Sequence, residues 1–249
     1  MNYLFCNTVV NSIIKESNND YSLLYYIGLK NLLTLNNKVI FSYKILIDSL
    51  NIDFGINIDI RKRNEFINYL HILEKFNLVS VKNNNNSNIN TTIYLNFNLE
   101  KEKEYGYSSI NEDEVKKIFL YNRKGKYNID NLKLFNLYGA IVSYIYNPSI
   151  KNDARPFNMQ YKYCRPSYKT FQQNGIIQKR STISDYLNIL QNDLNLIKFK
   201  NVGYIYSEKI KKRIKGVNHF VLVRDYPYPY NYDLLFKNIL EGYKKAMSE

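Results

Sequence analysis

Residues 178–200 read QKRSTISDYLNILQNDLNLIKFK, and five polar side chains open the run: Lys179, Arg180, Ser181, Thr182 and Ser184. An arginine can bond a guanine edge with two parallel N–H donors, and Ser or Thr hydroxyls bond bases or phosphates. Placed at the start of a helix, this set has the chemistry of a nucleic-acid contact. Ser181 and Thr182 have a second use there, because either hydroxyl is a suitable N-cap. Farther along, Lys198 and Lys200, then Lys209, Lys211, Lys212, Arg213 and Lys215, form a second basic set closed by Gly216. Gathered by a scaffold, these cations would reach phosphates or a minor groove. Left apart, they are a solvated charged hairpin. Tyr168 and Lys169, just upstream, are candidates to anchor a nucleic-acid backbone.

The positioning elements follow from periodicity. Ile183, Tyr186, Leu187, Leu190 and Leu194 are spaced 0, 3, 4, 7, 11, which lines one stripe of a helix. A shorter helix is expected over Ser167–Gln173, closed by Asn174-Gly175, a pair suited to a left-handed helix end. Ile197-Lys198-Phe199-Lys200 alternates as a strand does, and His219–Arg224 returns. Helix, tight turn, basic helix and basic hairpin together look like a winged helix, which presents the start of its second helix to the major groove.

The front half has the same order. Helices are expected over Asp20–Leu35, with Leu23, Leu24, Ile27 and Leu35 inward, and over Tyr43–Leu50, capped by Ser42. A third is expected over Ile60–Phe76, opened by Arg61, Lys62 and Arg63. A strand starts at 77–81, an Asn-rich tip follows, and Thr92–Phe97 returns. Tyr69-Leu70 and Tyr186-Leu187 lie 117 residues apart and both continue as Tyr-Leu-X-Ile-Leu. Asn77-Leu78 and Asn195-Leu196 lie 118 apart, so the second copy has one extra residue near its helix end. Such order at a fixed offset indicates an internal repeat.

Between the copies, EKEKEYGYSSINEDEV reads as a linker or as the exposed lead-in to a helix over Glu112–Asn122, capped by Ser109 or Asn111. Leu132–Tyr146 is expected to be the buried first helix of the second copy, followed by a long basic insertion over Asn147–Arg165. YPYPYNY excludes a regular element, and a last amphipathic helix is expected over Asp233–Ala246.

Charge separates the halves. The net charge is +13, of which residues 1–100 and 101–131 contribute +1 each and residues 132–249 contribute +11. Positive charge gathered on one domain attracts polyanions, nucleic acid above all. No apolar run approaches the ~20 residues a membrane span needs. Two cysteines, Cys6 and Cys164, do not make a disulfide framework. A soluble cytoplasmic protein with reduced thiols is expected.

Enzyme readings lack support. The only two histidines, His71 and His219, lie far apart, and neither forms a metal-like spacing with a cysteine. No Gly-X4-Gly-Lys-Ser/Thr phosphate loop occurs. No catalytic residue, metal or cofactor is expected.

Two winged helices in one chain, carried by KRSTISDYLNIL and RKRNEFINYLHIL over roughly residues 20–225, resemble the plasmid replication initiators that bind repeated origin sequences. The resemblance implies a front winged helix that dimerises and touches DNA backbone, and a rear one that reads bases. The fold class expected is α+β, mainly helical, with two tandem winged-helix domains and small β-hairpin wings. Its divisions are 1–100, a 101–131 linker and connecting helix, 132–225, and 226–249. Double-stranded DNA is the expected partner, with a second copy of the chain and a replicative helicase as further candidates. A plasmid or phage replication initiator, a winged-helix transcription regulator and a non-catalytic interaction module of a replication or partition complex all fit these residues.

Overall fold

A computed structural model of the chain describes residues 2–34, 37–82, 88–122, 129–146, 161–201, 203–207, 211–227 and 229–248. Leu35, Lys209, most of the Asn-rich tip and most of the basic insertion therefore lie outside the described residues. The fold is α+β, with helices and small antiparallel sheets. Contacts divide it into two units, Met1–Ala140 with Gln173–Ile176, and Ile141–Gln172 with Ile177–Glu249. The division falls inside the helix expected to open the second copy. Among the described residues no helix is long and apolar enough to cross a membrane.

The first unit starts with β1 (Asn2–Cys6), a π turn at Val9–Ile13, α1 (Ile14–Ser17), α2 (Ser22–Asn31), β2 (Lys38–Phe41) and α3 (Tyr43–Phe54). A 3-10 turn at Ile60–Lys62 leads into α4 (Arg63–Lys75), followed by β3 (Val79–Lys82) and β4 (Ile93–Phe97). Ser42 caps α3 by accepting the Ile45 N–H at 3.3 Å, which satisfies one of the donors left open at a helix start. The sheet order is β2-β4-β3, so the last strand lies in the middle. Phe66 of α4 is the hub of the core, with the rings of Tyr25, Tyr43 and Phe41 centred 5.1, 5.2 and 6.0 Å away. Gly28 lets α2 and α3 approach closely, because a Cβ there would lie 2.8 Å from side-chain carbons of both Leu46 and Leu50.

The segment read as a linker is integrated into this unit. It forms α5 (Leu99–Tyr105), β5 (Tyr107–Asn111) and α6 (Glu112–Phe119), and β5 pairs antiparallel with β1 from Cys6↔Tyr107 to Asn2↔Asn111. Ser108 and Ile110 turn inward, and the Ser108 hydroxyl donates to Asn7 Oδ1 at 2.6 Å. Pairing across about a hundred residues leaves no local signature beside so charged a run. Asn111 begins α6 through a capping box with Glu114, whose carboxylate accepts the Asn111 N–H at 2.9 Å.

Glu102 of α5 is fully buried and accepts from Lys30 Nζ at 3.0 Å, from the Tyr107 hydroxyl at 3.0 Å and from the Tyr26 hydroxyl. Burial, then the Glu102 charge, pushes both phenols above their ordinary range, so they remain donors to the carboxylate.

α7 (Asn131–Tyr146) runs across the division. The second unit continues with a single antiparallel bridge between Cys164 and Phe220, then α8 (Tyr168–Gln173) and α9 (Arg180–Asn188). β6 (Ile197–Asn201), β7 (Tyr204–Ser207), β8 (Lys212–Lys215) and β9 (Asn218–Leu222) follow, with α10 (Tyr232–Ser248) last. β6 pairs with β9 and β7 with β8, and the Gly216 N–H donates to the Gly203 carbonyl at 2.6 Å, joining the pairs into one ribbon. Leu235, Phe236 and Ile239 of α10 bury against Tyr163, Val221 and Tyr226, so this helix closes one side of the unit.

The repeat is visible in the backbone. The run α2, β2, α3, α4, β3, β4 is matched by α7, the Cys164 bridge, α8, α9, β6 and β9, with β7 and β8 inserted before the last strand, and β4 and β9 are each the central strand of their set. Asn77 and Asn195 adopt the same left-handed conformation, φ 56° and 51°, where their helices end. Leu78 donates to the Leu73 carbonyl and Leu196 to the Leu190 carbonyl, one residue farther back. The extra residue of the second copy is taken up by a π turn, Ile189–Asp193, which continues α9 where α4 stays α-helical.

Candidate nucleic-acid interface

α9 begins at least two residues earlier than its hydroxyls suggest. Lys179 is the extended N-cap residue, without a side-chain capping bond, and Arg180 is the first helical residue. Ser181 and Thr182 are therefore inside the first turn and cap nothing. Ser181 is exposed, while Thr182 and Ser184 are half-buried. All five apolar stripe residues, Ile183, Tyr186, Leu187, Leu190 and Leu194, are buried, so the stripe fixes which face of α9 meets solvent.

Arg180 lies with its guanidinium carbon 5.4 Å from the Tyr168 ring centre, a cation–π distance. Tyr168 is the first residue of α8, whose start is held by Ser167 Oγ accepting the Thr170 N–H at 3.2 Å. Together with Lys215 of β8, these two side chains line an open cleft of about 380 Å³. It is also lined by Asn201 and Asn218, paired across β6 and β9, with the Asn201 amide donating to Asn218 Oδ1 at 2.7 Å. The cleft thus collects the starts of two helices and the base of a basic ribbon, a charged arginine held at its edge, and two amides suited to base or phosphate contacts.

Lys169, Lys179, Lys211, Lys212, Arg213 and Lys215 are exposed, as is Arg180. None of the seven has a carboxylate within ion-pair distance among the described residues. Their charge is uncompensated locally, which is what a polyanion site needs.

Lys198 and Lys200 do not line the cleft. Strand alternation turns them to the side of His219 and Val221, which α10 covers. Lys198 Nζ lies 6.0 Å from the Tyr232 ring centre and Lys200 Nζ lies 3.7 Å from Asp233. The alternating pattern predicts a strand but not which face a distant helix will cover.

The helix start of the first unit differs again. Arg61 is bound by Asp59, with Nη2 2.7 Å from Oδ2, and Lys62 by Glu65 at 2.7 Å. Arg63 is buried. The three cations expected at a groove are thus two neutralised side chains and one drawn into the protein.

Two aromatic residues escape notice in the sequence. Tyr204 and Tyr206 are 72% and 49% exposed on β7, high for side chains of their size. Their alternation with basic cross-strand partners is a detectable signal, but one hidden in a chain with 25 tyrosines. Among the histidines, His71 is exposed and lies 3.4 Å from Glu74, while His219 is fully buried between Tyr163 and Tyr243. Cys6 and Cys164 are buried, and burial pushes the Cys6 thiol up to about 12 and Cys164 well above its ordinary value. Neither has the thiolate character that reactive cysteines need.

No family model matches the chain, no curated protein matches its sequence, and no solved structure matches its fold.

Proposed function

We propose that this chain is a sequence-specific double-stranded-DNA-binding protein built of two tandem winged helices, and that it initiates replication of a plasmid or phage. The observation that carries the reading is the meeting of Arg180, Tyr168 and Lys215 in one cleft, where neither cation has a carboxylate partner among the described residues. The shared order of elements, with β4 and β9 central, supports the winged-helix reading of each copy. The start of α9 would enter the major groove, Arg180 and the Ser181 hydroxyl would address base edges, and Lys211, Lys212, Arg213 and Lys215 would hold phosphates. The first unit, with its paired Arg61 and Lys62, is suited to a second copy of the chain or to another replication protein. No step of this mechanism is catalytic: the protein positions DNA, and strand opening follows through protein contacts.

The test is selection from a random duplex pool across salt concentrations. An enriched motif that persists at higher salt supports base readout, and its organisation as direct repeats supports an initiator. A palindrome would favour a transcription regulator, which the same cleft serves equally well. No enrichment, with binding lost by moderate salt, would overturn the reading.

A further inference from the structure

We propose that the β7–β8 ribbon carries a second nucleic-acid surface, one that takes the unpaired bases of single-stranded DNA. The observation is the register of the ribbon: Tyr204 pairs with Lys215, and Tyr206 with Arg213. Directly paired residues of an antiparallel ladder point to the same face with Cβ atoms about 5 Å apart. Tyr204 and Tyr206, two residues apart, share that face. The ribbon therefore presents two tyrosines in a row with a cation beside each.

Duplex contacts do not explain these tyrosines. Phosphates attract lysine and arginine, but a ring as exposed as Tyr204, at 72%, gains nothing from a phosphate. Neither ring stacks on another described aromatic side chain, and both stay exposed although α10 runs against β7. A packing role would have covered them. What an exposed aromatic ring beside a cation does bind well is a nucleobase face, with the cation on the adjoining phosphate. Alternate residues of a strand lie about 6.8 Å apart, which is about twice the spacing of stacked bases, so one base has room between the two rings. A paired base in a duplex has no exposed face to offer. The occupant is therefore an unpaired strand, and the positive charge of this unit supplies the attraction. The proposal rests on the duplex reading for the premise that the second unit binds DNA and shares with it the cations Arg213 and Lys215, whereas Tyr204 and Tyr206 belong to the ribbon surface alone.

The experiment compares the full chain and its variants on fluorescent oligo(dT) of about 15 nucleotides, on the same length of oligo(rU), and on the duplex site or a mixed duplex, at fixed salt. Tyr204→Ala with Tyr206→Ala should weaken oligo(dT) binding by at least about tenfold and duplex binding by less than about threefold. Tyr204→Phe with Tyr206→Phe should retain oligo(dT) binding, because the rings remain. Arg180→Ala should give the reverse pattern, losing duplex and keeping oligo(dT). Unchanged thermal unfolding of all three keeps the comparison valid. Oligo(dT) binding that survives the double alanine variant overturns the proposal, as does equal loss on duplex and single strand, or tighter binding of oligo(rU). If the unaltered protein binds oligo(dT) but no duplex, the ribbon surface stands and the duplex reading falls. If it binds duplex but no oligo(dT), the ribbon surface falls and the duplex reading stands.

Discussion

Arg63 and Arg180 stand 117 residues apart at the same point of the repeat, each the first residue of its helix, yet Arg63 is buried and Arg180 projects into solvent over Tyr168. One side chain has become structural and its counterpart is free to bind. Arg180→Ala should therefore weaken duplex binding by about tenfold or more while leaving unfolding unchanged. Arg63→Ala should do the reverse, lowering stability by about 1–3 kcal/mol with little effect on DNA. Binding titrations and denaturant melts of the two variants, done side by side, check this. Equal DNA losses would contradict the assignment.

Phosphate contacts appear in the salt dependence of affinity. Lys215→Ala and Arg213→Ala should each lower the slope of log affinity against log salt by about one. Lys62→Ala and Arg61→Ala should leave the slope unchanged, since Glu65 and Asp59 already hold those cations. Titration at four or five salt concentrations separates the two pairs.

Asn77 and Asn195 test the helix ends. At their left-handed φ, a Cβ without a local hydrogen-bonding group costs about 1–2 kcal/mol. Asn77→Ala and Asn195→Ala should each destabilise by about that amount, whereas Asn→Gly at either position should be neutral or slightly stabilising. Chemical denaturation reads both.

Glu102 anchors three donors inside the first unit. Glu102→Ala would leave Lys30, whose side chain is only 10% exposed, without its partner and the Tyr26 and Tyr107 hydroxyls without their acceptor, and a loss of about 3 kcal/mol is expected. A melt of the variant would show this as a large drop in Tm. A change near zero would mean that Lys30 finds water or another carboxylate.

His219 sets a pH dependence. Burial, reinforced by the positive charge of Arg165 and partly offset by the nearby Val217 backbone, lowers its pKa from the usual 6.5 to about 4. Between those values the unfolded chain binds a proton that the folded chain refuses. Stability is thus complete above about pH 6.5 and falls as the pH drops towards 4, by about 3 kcal/mol from this residue. His219→Leu should flatten the stability profile across that window, as followed by denaturant melts from pH 7.5 to 4.

The sequence reads well where information is local. Ser42 as a cap, the apolar stripe of α9 and the left-handed Gly175 after α8 are all legible, because each depends on residues a few positions apart. The one-residue offset between the copies is legible too, but only the backbone shows a π turn absorbing it. The cap of α9 is misplaced by its sequence because two hydroxyls follow Lys179 and Arg180, and hydroxyls are the commoner caps. Within the candidate site, Tyr168, Arg180 and Lys215 stand out separately, 12 and 35 residues apart, with no sign in the chain that they line one cleft.

The sequence by itself determined the order of elements, their apolar faces and the concentration of positive charge in residues 132–249, since periodicity and charge are properties of the chain in order. Only the tertiary structure decided which cations remain available. Asp59, Glu65 and Asp233 neutralise three of them, burial removes Arg63, and α10 turns the Lys198 face of the ribbon inward. It also decided that β5 joins β1 instead of forming a linker. The pairs Asp59–Arg61 and Lys62–Glu65 are near in sequence, but which rotamers close them is not written there, and burial of Arg63 and the Lys200–Asp233 pair depend on partners distant in the chain and near in space.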